Sequence, residues 1–153
     1  MDAFDKHILQ IIQEYGDISI ADLAERINLT TNPCWRRVQK LQEQGFIKKR
    51  VALLNADKVN VEVTVFVQVR TRDHSRAWFD KFKAAIDQIP EVTEFYRMSG
   101  NIDYMLKVMV PSIKGYDDVY QKLISQIALE DVSALFAMEE VKHTTALPLK
   151  YCS

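Results

Sequence analysis

Along the first 50 residues, apolar side chains recur every three or four positions, which is the spacing of one face of a helix. Three helices are predicted in this way, and each follows a residue type that caps helix N-termini: Asp2, Ser19 and Thr30. Asn28 favours the left-handed conformation that ends the second helix, and Gly45 ends the third. Because only residues 28–30 separate the second and third helices, the pattern predicts a helix-turn-helix.

Beyond residue 60 the pattern changes to the alternation expected of β-strands, with two helical stretches between them. Valine occupies every odd position from 61 to 69, which predicts a strand. The same criteria predict further strands over 92–98, 102–110 and 132–142, and helices around 78–89 and 116–124. The resulting order, βαββαβ, is that of a ferredoxin-like fold.

These elements predict an α+β chain of two domains. A helix-turn-helix domain occupies residues 1–50, a hinge strand or linker residues 51–60, and a ferredoxin-like domain residues 61–153. The strands of the second domain are apolar on both sides: Leu106 and Val108 point one way, Met105 and Met109 the other. Helices cover one face of such a sheet, so the second apolar face predicts an interface between copies of the chain. A few tolerated surface apolar residues are the alternative.

Composition narrows the class of protein. The chain has 153 residues, 48% of them hydrophobic and 27% charged, which is typical of a globular protein with its own core. Two cysteines, Cys34 and Cys152, are too few for a disulfide framework, so a reduced cytoplasmic protein is expected. No stretch approaches the roughly 20 apolar residues of a membrane span, and no signal peptide precedes the first helix. No membrane partner is therefore expected.

Positive charge is concentrated in and just after the third helix, although the net charge of the chain is only −1. Between Arg36 and Arg50 there are six basic residues and one acid. At about 100° per residue, Cys34, Val38 and Leu41 share the buried face, and Trp35 is predicted to pack at its edge. The opposite side presents polar and basic residues, with Arg37 on its flank: Asn32, Arg36, Gln39 and Lys40.

This row and the flanking Arg37 are predicted to contact DNA. Such a row suits the edges of DNA bases, since Arg pairs with guanine and Asn or Gln with adenine. The second helix of the motif enters the major groove by its N-terminus, so Thr31, Asn32 and Arg36 are predicted to lie deepest. Three cations beyond the helix are predicted to contact phosphate: Lys48, Lys49 and Arg50. A solvated helix face is the alternative, but the short-turn helix pair favours a DNA interface.

Four runs of the sequence, "DLAERINLTTNPCWRRVQKLQEQGFI", "ALLNADKVN", "SGNIDYMLKV" and "HTTALPL", resemble the Lrp/AsnC family of transcription regulators, over essentially the whole chain. The resemblance implies an N-terminal winged helix-turn-helix domain and a C-terminal ferredoxin-like effector domain. It also implies homodimers formed through the sheets, often assembled into octamers, with a free amino acid bound between neighbouring subunits. The function so implied is a sequence-specific transcription regulator that binds double-stranded DNA and responds to an amino acid.

The resemblance assigns the effector site to one hairpin loop, through Ser99, Gly100, Asn101 and Asp103. The Asp103 carboxylate suits an α-ammonium group, and loop N–H groups suit an α-carboxylate. Gly100 and Asn101 are also ordinary hairpin residues, so a purely structural loop is the alternative.

Catalytic and metal-binding patterns are missing from the sequence. The glycines are too scattered for a phosphate loop, and the histidines (His7, His74 and His143) lie in different elements without metal-ligand spacing. No enzyme activity, metal or cofactor is therefore expected. Two rival functions stay open: an amino-acid sensor or regulatory subunit that acts through protein contacts, and a small ferredoxin-like enzyme.

Overall fold

Three helices, α1 (Ala3–Glu14), α2 (Ile20–Arg26) and α3 (Thr31–Glu43), begin the computed structural model, which describes residues 1–152. Asp2 caps α1 as predicted, and it forms a capping box with Asp5: each side chain accepts a hydrogen bond from the other residue's backbone N–H. The Ser19 hydroxyl caps α2 by accepting from the Asp22 N–H. Thr30 stands at the N-cap position of α3, but its side chain makes no capping hydrogen bond, so that part of the prediction is wrong.

The helices enclose a small apolar core. Its buried residues come from all three helices and include Ile8 and Ile12 of α1, Leu23 of α2, and Val38 and Leu41 of α3. The end of the chain adds to it, because Leu149 of the short helix η1 (Leu149–Tyr151) packs against this core. The Gln13 side chain exchanges two hydrogen bonds with the Leu147 backbone, at 3.1 and 2.8 Å.

The chain therefore divides differently from the sequence prediction. The first unit contains residues 1–53 and residues from Lys142 onward, and the second contains residues 54–141. The boundary between the two units falls between Leu53 and Leu54, inside the predicted linker. The strand predicted within 51–60 is not formed. The Asn55 side chain instead accepts from the N–H groups of Asp57 and Lys58, which starts a turn.

The second unit is a four-stranded antiparallel sheet with two helices. Its elements are β1 (Val63–Arg70), α4 (Arg76–Asp87), β2 (Val92–Arg97), β3 (Tyr104–Val110), α5 (Ile113–Gln126) and β4 (Asp131–Phe136). The strand order is β2-β3-β1-β4, and the βαββαβ sequence of elements confirms the ferredoxin-like prediction. The last strand is shorter than predicted: it ends at Phe136, and the Ala137 N–H donates to the Thr64 carbonyl. Only Val63 of β1 lies beyond Thr64, so pairing with β1 cannot extend to residue 142.

One face of the sheet is buried under α4 and α5, and the other is not. Val67 and Leu106 lie in the core with Phe82 of α4 and Leu123 of α5. The outer face carries apolar residues that are substantially exposed, among them Phe66, Tyr96 and Leu135. No helix within residues 1–152 is both long and apolar enough to cross a bilayer.

Candidate functional site

A tight turn presents α3 to its surroundings. Asn28 adopts the predicted left-handed conformation (φ 56°), and the Leu29 N–H donates to the Ala24 carbonyl at 2.9 Å. The Asn side chain tolerates this conformation at little cost, so α2 ends and the chain turns back within three residues, 28–30. The two helices can then share one core, as the helix-turn-helix pattern predicts.

The buried and exposed sides of α3 are those predicted from the sequence. Cys34, Val38 and Leu41 are its buried residues. Cys34 has no exposed surface, and burial raises the pKa of its thiol. Among the predicted DNA-binding residues of α3, Thr31, Asn32, Arg36 and Lys40 are exposed and Gln39 is half-buried.

An exposed tryptophan and a short basic segment flank this row. Trp35, predicted to pack at the helix edge, is 50% exposed, so about half of its surface is open to a partner. Gly45 adopts a positive φ of 77°, and the Phe46 N–H closes the helix by donating to the Leu41 carbonyl at 2.9 Å. The chain leaves the helix there, and the three cations that follow are exposed: Lys48, Lys49 and Arg50.

Arg37 differs from its neighbours. Its Nη1 atom lies 2.6 Å from Asp2 Oδ2 and 2.7 Å from Asp5 Oδ1, so the guanidinium bridges both carboxylates of the capping box. The guanidinium carbon is also 5.3 Å from the centre of the Phe4 ring. These contacts join the first turn of α1 to α3. Sequence spacing could not reveal them, because the partners lie more than 30 positions away.

A cleft of about 570 Å³ lies where α1 and α3 meet. Its lining combines both acids with the cationic row: Asp2, Asp5, Asn32, Pro33, Arg36, Arg37 and Lys40. The pKa of Asp2 lies below its usual value, mainly because its carboxylate accepts from the backbone N–H of Asp5 and secondly because it accepts from the Arg37 guanidinium. Asp2 is therefore fully ionised at neutral pH, and negative charge stands next to the exposed cations.

The predicted effector loop is the β2–β3 hairpin connection in the second unit. Gly100 has φ 114°, a conformation that favours glycine, and Ser99, Gly100 and Asn101 are exposed. Asp103 is only partly exposed and is anchored: its N–H donates to the Val69 carbonyl, and its carboxylate accepts from the Thr71 N–H at 2.8 Å. His74 Nδ1 lies 3.9 Å from the other carboxylate oxygen.

A second cleft, of about 390 Å³, opens beside this anchor. It is lined by residues that follow β1 and α5, together with Trp78: Thr71, Arg72, Asp73, Ala128, Leu129 and Glu130. Arg72 Nε lies 2.9 Å from Glu130 Oε1. The pKa of Asp73 is lowered by hydrogen bonds from Ser75, of which the side-chain bond has the larger effect and the backbone bond the smaller. The four predicted effector residues do not line this cleft, although Thr71 joins it to Asp103. Only the polar run after β1, "TRDHS", hints at it in the sequence.

Within residues 1–152 no group of three or more His, Cys, Asp or Glu side chains is arranged to hold a metal ion.

Comparison with known proteins gives matches over the whole chain. Residues 1–48 match a family model described as winged helix-turn-helix DNA-binding, and residues 64–147 match one described as the Lrp/AsnC ligand binding domain. A glutamate uptake regulatory protein of Zymomonas mobilis is 48% identical over 149 residues, covering 97% of this chain and 91% of that protein.

Solved structures agree with these matches. An AsnC family transcriptional regulator from Agrobacterium tumefaciens superposes with a TM-score of 0.97 at 52% identity, over 100% of both chains. A transcriptional regulator from Neisseria meningitidis, solved in complex with L-Met, superposes with a TM-score of 0.93 at 32% identity, over 98% of this chain and 97% of that one.

Proposed function

Because this chain belongs to the Lrp/AsnC family of DNA-binding transcription regulators, we propose that it reads its operator through α3 and responds to a free amino acid. The observation that carries the DNA part is the division of α3 into two faces. Cys34, Val38 and Leu41 are buried, and the opposite side presents amide and basic groups to solvent. A regulator that binds chromosomal DNA works in the cytoplasm, where we place this one.

We assign the DNA contacts in two classes. Thr31, Asn32, Arg36, Gln39 and Lys40 contact base edges or the groove wall, since α3 enters the major groove by its N-terminus. Lys48, Lys49 and Arg50 contact phosphate, because they are exposed and follow the helix on a segment without regular structure. Base contacts set sequence preference, and phosphate contacts set affinity that depends on salt.

The effector class rests on the ligand-binding domain and on the relatives. One similar regulator was solved with L-Met, and another is named for glutamate uptake, so an amino acid is the ligand class we propose. The hairpin residues Ser99, Gly100, Asn101 and Asp103 form one side of the site, and the cleft at Arg72 and Asp73 extends it. Arg72 suits an α-carboxylate, and the acids suit an α-ammonium.

The assembly we propose is a homodimer formed through the outer face of the sheet, which joins further dimers into an octamer. Phe66 and Leu135 face each other across β1 and β4, and both are exposed, as is Tyr96 on β2. Exposed apolar side chains on three strands of one sheet form the kind of patch that mediates association. A two-fold dimer presents two α3 helices, so the operator is expected to be an imperfect palindrome.

Two measurements test this function. Full-length protein is incubated with fragments of genomic DNA, and bound fragments are sequenced; enrichment of one palindromic motif is expected, whereas uniform retention contradicts sequence-specific binding. The twenty amino acids are then screened for a rise in melting temperature, because a ligand that binds only the native state stabilises it. An amino acid that raises the melting temperature should also change the affinity for the enriched motif.

A further inference from the structure

Arg37 occupies a different position from the other cations of the proposed DNA interface. Its guanidinium contacts two carboxylates through a single nitrogen, at 2.6 and 2.7 Å, and stacks near Phe4. A phosphate could contact Nη1 only by displacing these carboxylates of the α1 capping box. Arg36, the adjacent residue, is exposed and makes no salt bridge with any residue in the range 1–152.

The position of the two acids explains why they need a partner. Asp2 and Asp5 line the same cleft as Asn32, Arg36 and Lys40, which are proposed to meet DNA. DNA at that cleft brings phosphates to within roughly one Debye length, about 8 Å at physiological salt, of both carboxylates. Like charges repel over such distances, so unpaired acids at this place would oppose DNA binding.

We infer that Arg37 is a positioning residue for DNA binding: it neutralises Asp2 and Asp5 and holds the first turn of α1 against α3. The inference rests on the proposed use of α3 as the recognition helix. It replaces the sequence prediction of a direct Arg37–DNA contact. The acids serve the capping box of α1, and Arg37 makes them compatible with a DNA-binding surface.

The test compares three variants of the full-length protein: Arg37→Gln, Asp2→Asn/Asp5→Asn, and the triple variant that combines them. Asn at position 2 is still a good N-cap, so α1 is retained. Affinity for a duplex carrying the enriched motif, and for an unrelated duplex, is measured by fluorescence anisotropy at several salt concentrations. Arg76→Gln is the control, because Arg76 pairs with one acid, Asp80, in the other unit.

Arg37→Gln is expected to weaken binding to both duplexes about tenfold, because it leaves two unpaired acids beside the DNA. The triple variant is expected to bind within about threefold of the Asp2→Asn/Asp5→Asn variant (the Asn/Asn variant), with the same salt dependence. Once the two acids are neutral, replacing Arg37 removes only a positive charge that does not touch the DNA. Circular dichroism shows whether Arg37→Gln folds; if it does not, the comparison of the triple with the Asn/Asn variant decides.

Two results would overturn the inference. The first is a triple variant at least tenfold weaker than the Asn/Asn variant, with a salt slope lower by about one unit, which is the behaviour of a direct phosphate contact. The second is an Arg37→Gln protein that is folded and binds like the unmodified chain. Arg36→Ala is measured in parallel: if it also binds like the unmodified chain, the assignment of α3 fails, and that failure is separate from the inference on Arg37.

Discussion

The carboxylate of Asp103 accepts a hydrogen bond from the backbone N–H of Thr71 at 2.8 Å. This bond ties the β2–β3 hairpin loop to the segment that follows β1, and Thr71 itself is buried. One carboxylate oxygen is therefore engaged in the fold, while the other, 3.9 Å from His74 Nδ1, remains available to a ligand. The structural role of Asp103 in the loop and its proposed role in the effector site are therefore separable by substitution.

Asp103→Asn is expected to keep the fold and lose the effector. The Asn carbonyl oxygen can still accept from the Thr71 N–H, but the charge that would pair with an α-ammonium is gone. Differential scanning fluorimetry should show a melting temperature near that of the unmodified protein and no shift with the amino acid. Asp103→Ala is the comparison: it leaves the Thr71 N–H without its acceptor and should cost about 1–3 kcal/mol of stability.

An Asp103→Asn protein that keeps the full ligand shift would show that the charge plays no part in effector binding. One that unfolds or dissociates, with no separate ligand defect, would assign Asp103 to the structure of the loop alone. In either case the charged cleft at Arg72 and Glu130 becomes the next place to look for the effector.

Arg36→Ala and Lys49→Ala are expected to weaken DNA binding in different ways. Arg36→Ala should cost about 1–3 kcal/mol on the preferred operator and relax the preference at one base position, as loss of a base contact does. Lys49→Ala should weaken binding to all sequences alike and lower the salt slope by about one unit. Titrations on operator variants at several salt concentrations measure both. Equal, sequence-independent losses would contradict the assignment of Arg36 to a base edge.

Local signals predicted the helical part of the fold well. The capping residues at Asp2 and Ser19, the left-handed Asn28 and the glycine after α3 act over three or four positions, so the sequence alone contains them. The exposed face of α3 follows from the same short-range periodicity. Alternation likewise predicted the strands, since β1 has its buried valines at 65, 67 and 69.

Features that depend on distant partners could not be predicted. Arg37 was expected at the DNA because its own helix is basic, but its carboxylate partners belong to α1. The segment 51–60 was expected to include a strand, yet it pairs with no strand of the described residues. The chain end joins the first unit through Gln13 and Leu147, a contact across more than 130 positions that no local pattern encodes.

Leu135→Glu is expected to disrupt the proposed dimer. Leu135 is 52% exposed and lies opposite Phe66 on the outer face of the sheet, so a charge there would be buried by an interface. Light scattering should show a species larger than the 17.7 kDa chain for the unmodified protein and a shift toward that mass for the variant. Ile113→Glu, at an exposed position of α5, is the control and should leave the mass unchanged. A folded 17.7 kDa monomer of the unmodified protein would refute the assembly.

The two cysteines are expected to react with thiol reagents at very different rates. Cys34 is fully buried on the inner face of α3, and burial raises the pKa of its thiol, so little of the reactive thiolate is present near neutral pH. Cys152 is partly exposed. A chromogenic disulfide should therefore label Cys152 rapidly in the native protein, and Cys34 only after denaturation. In a Cys152→Ser variant, native labelling should be slow and should follow the rate of unfolding. Rapid labelling of Cys34 in that variant, with a parallel loss of DNA binding, would mean that α3 leaves its core readily and that the thiol is open to redox control.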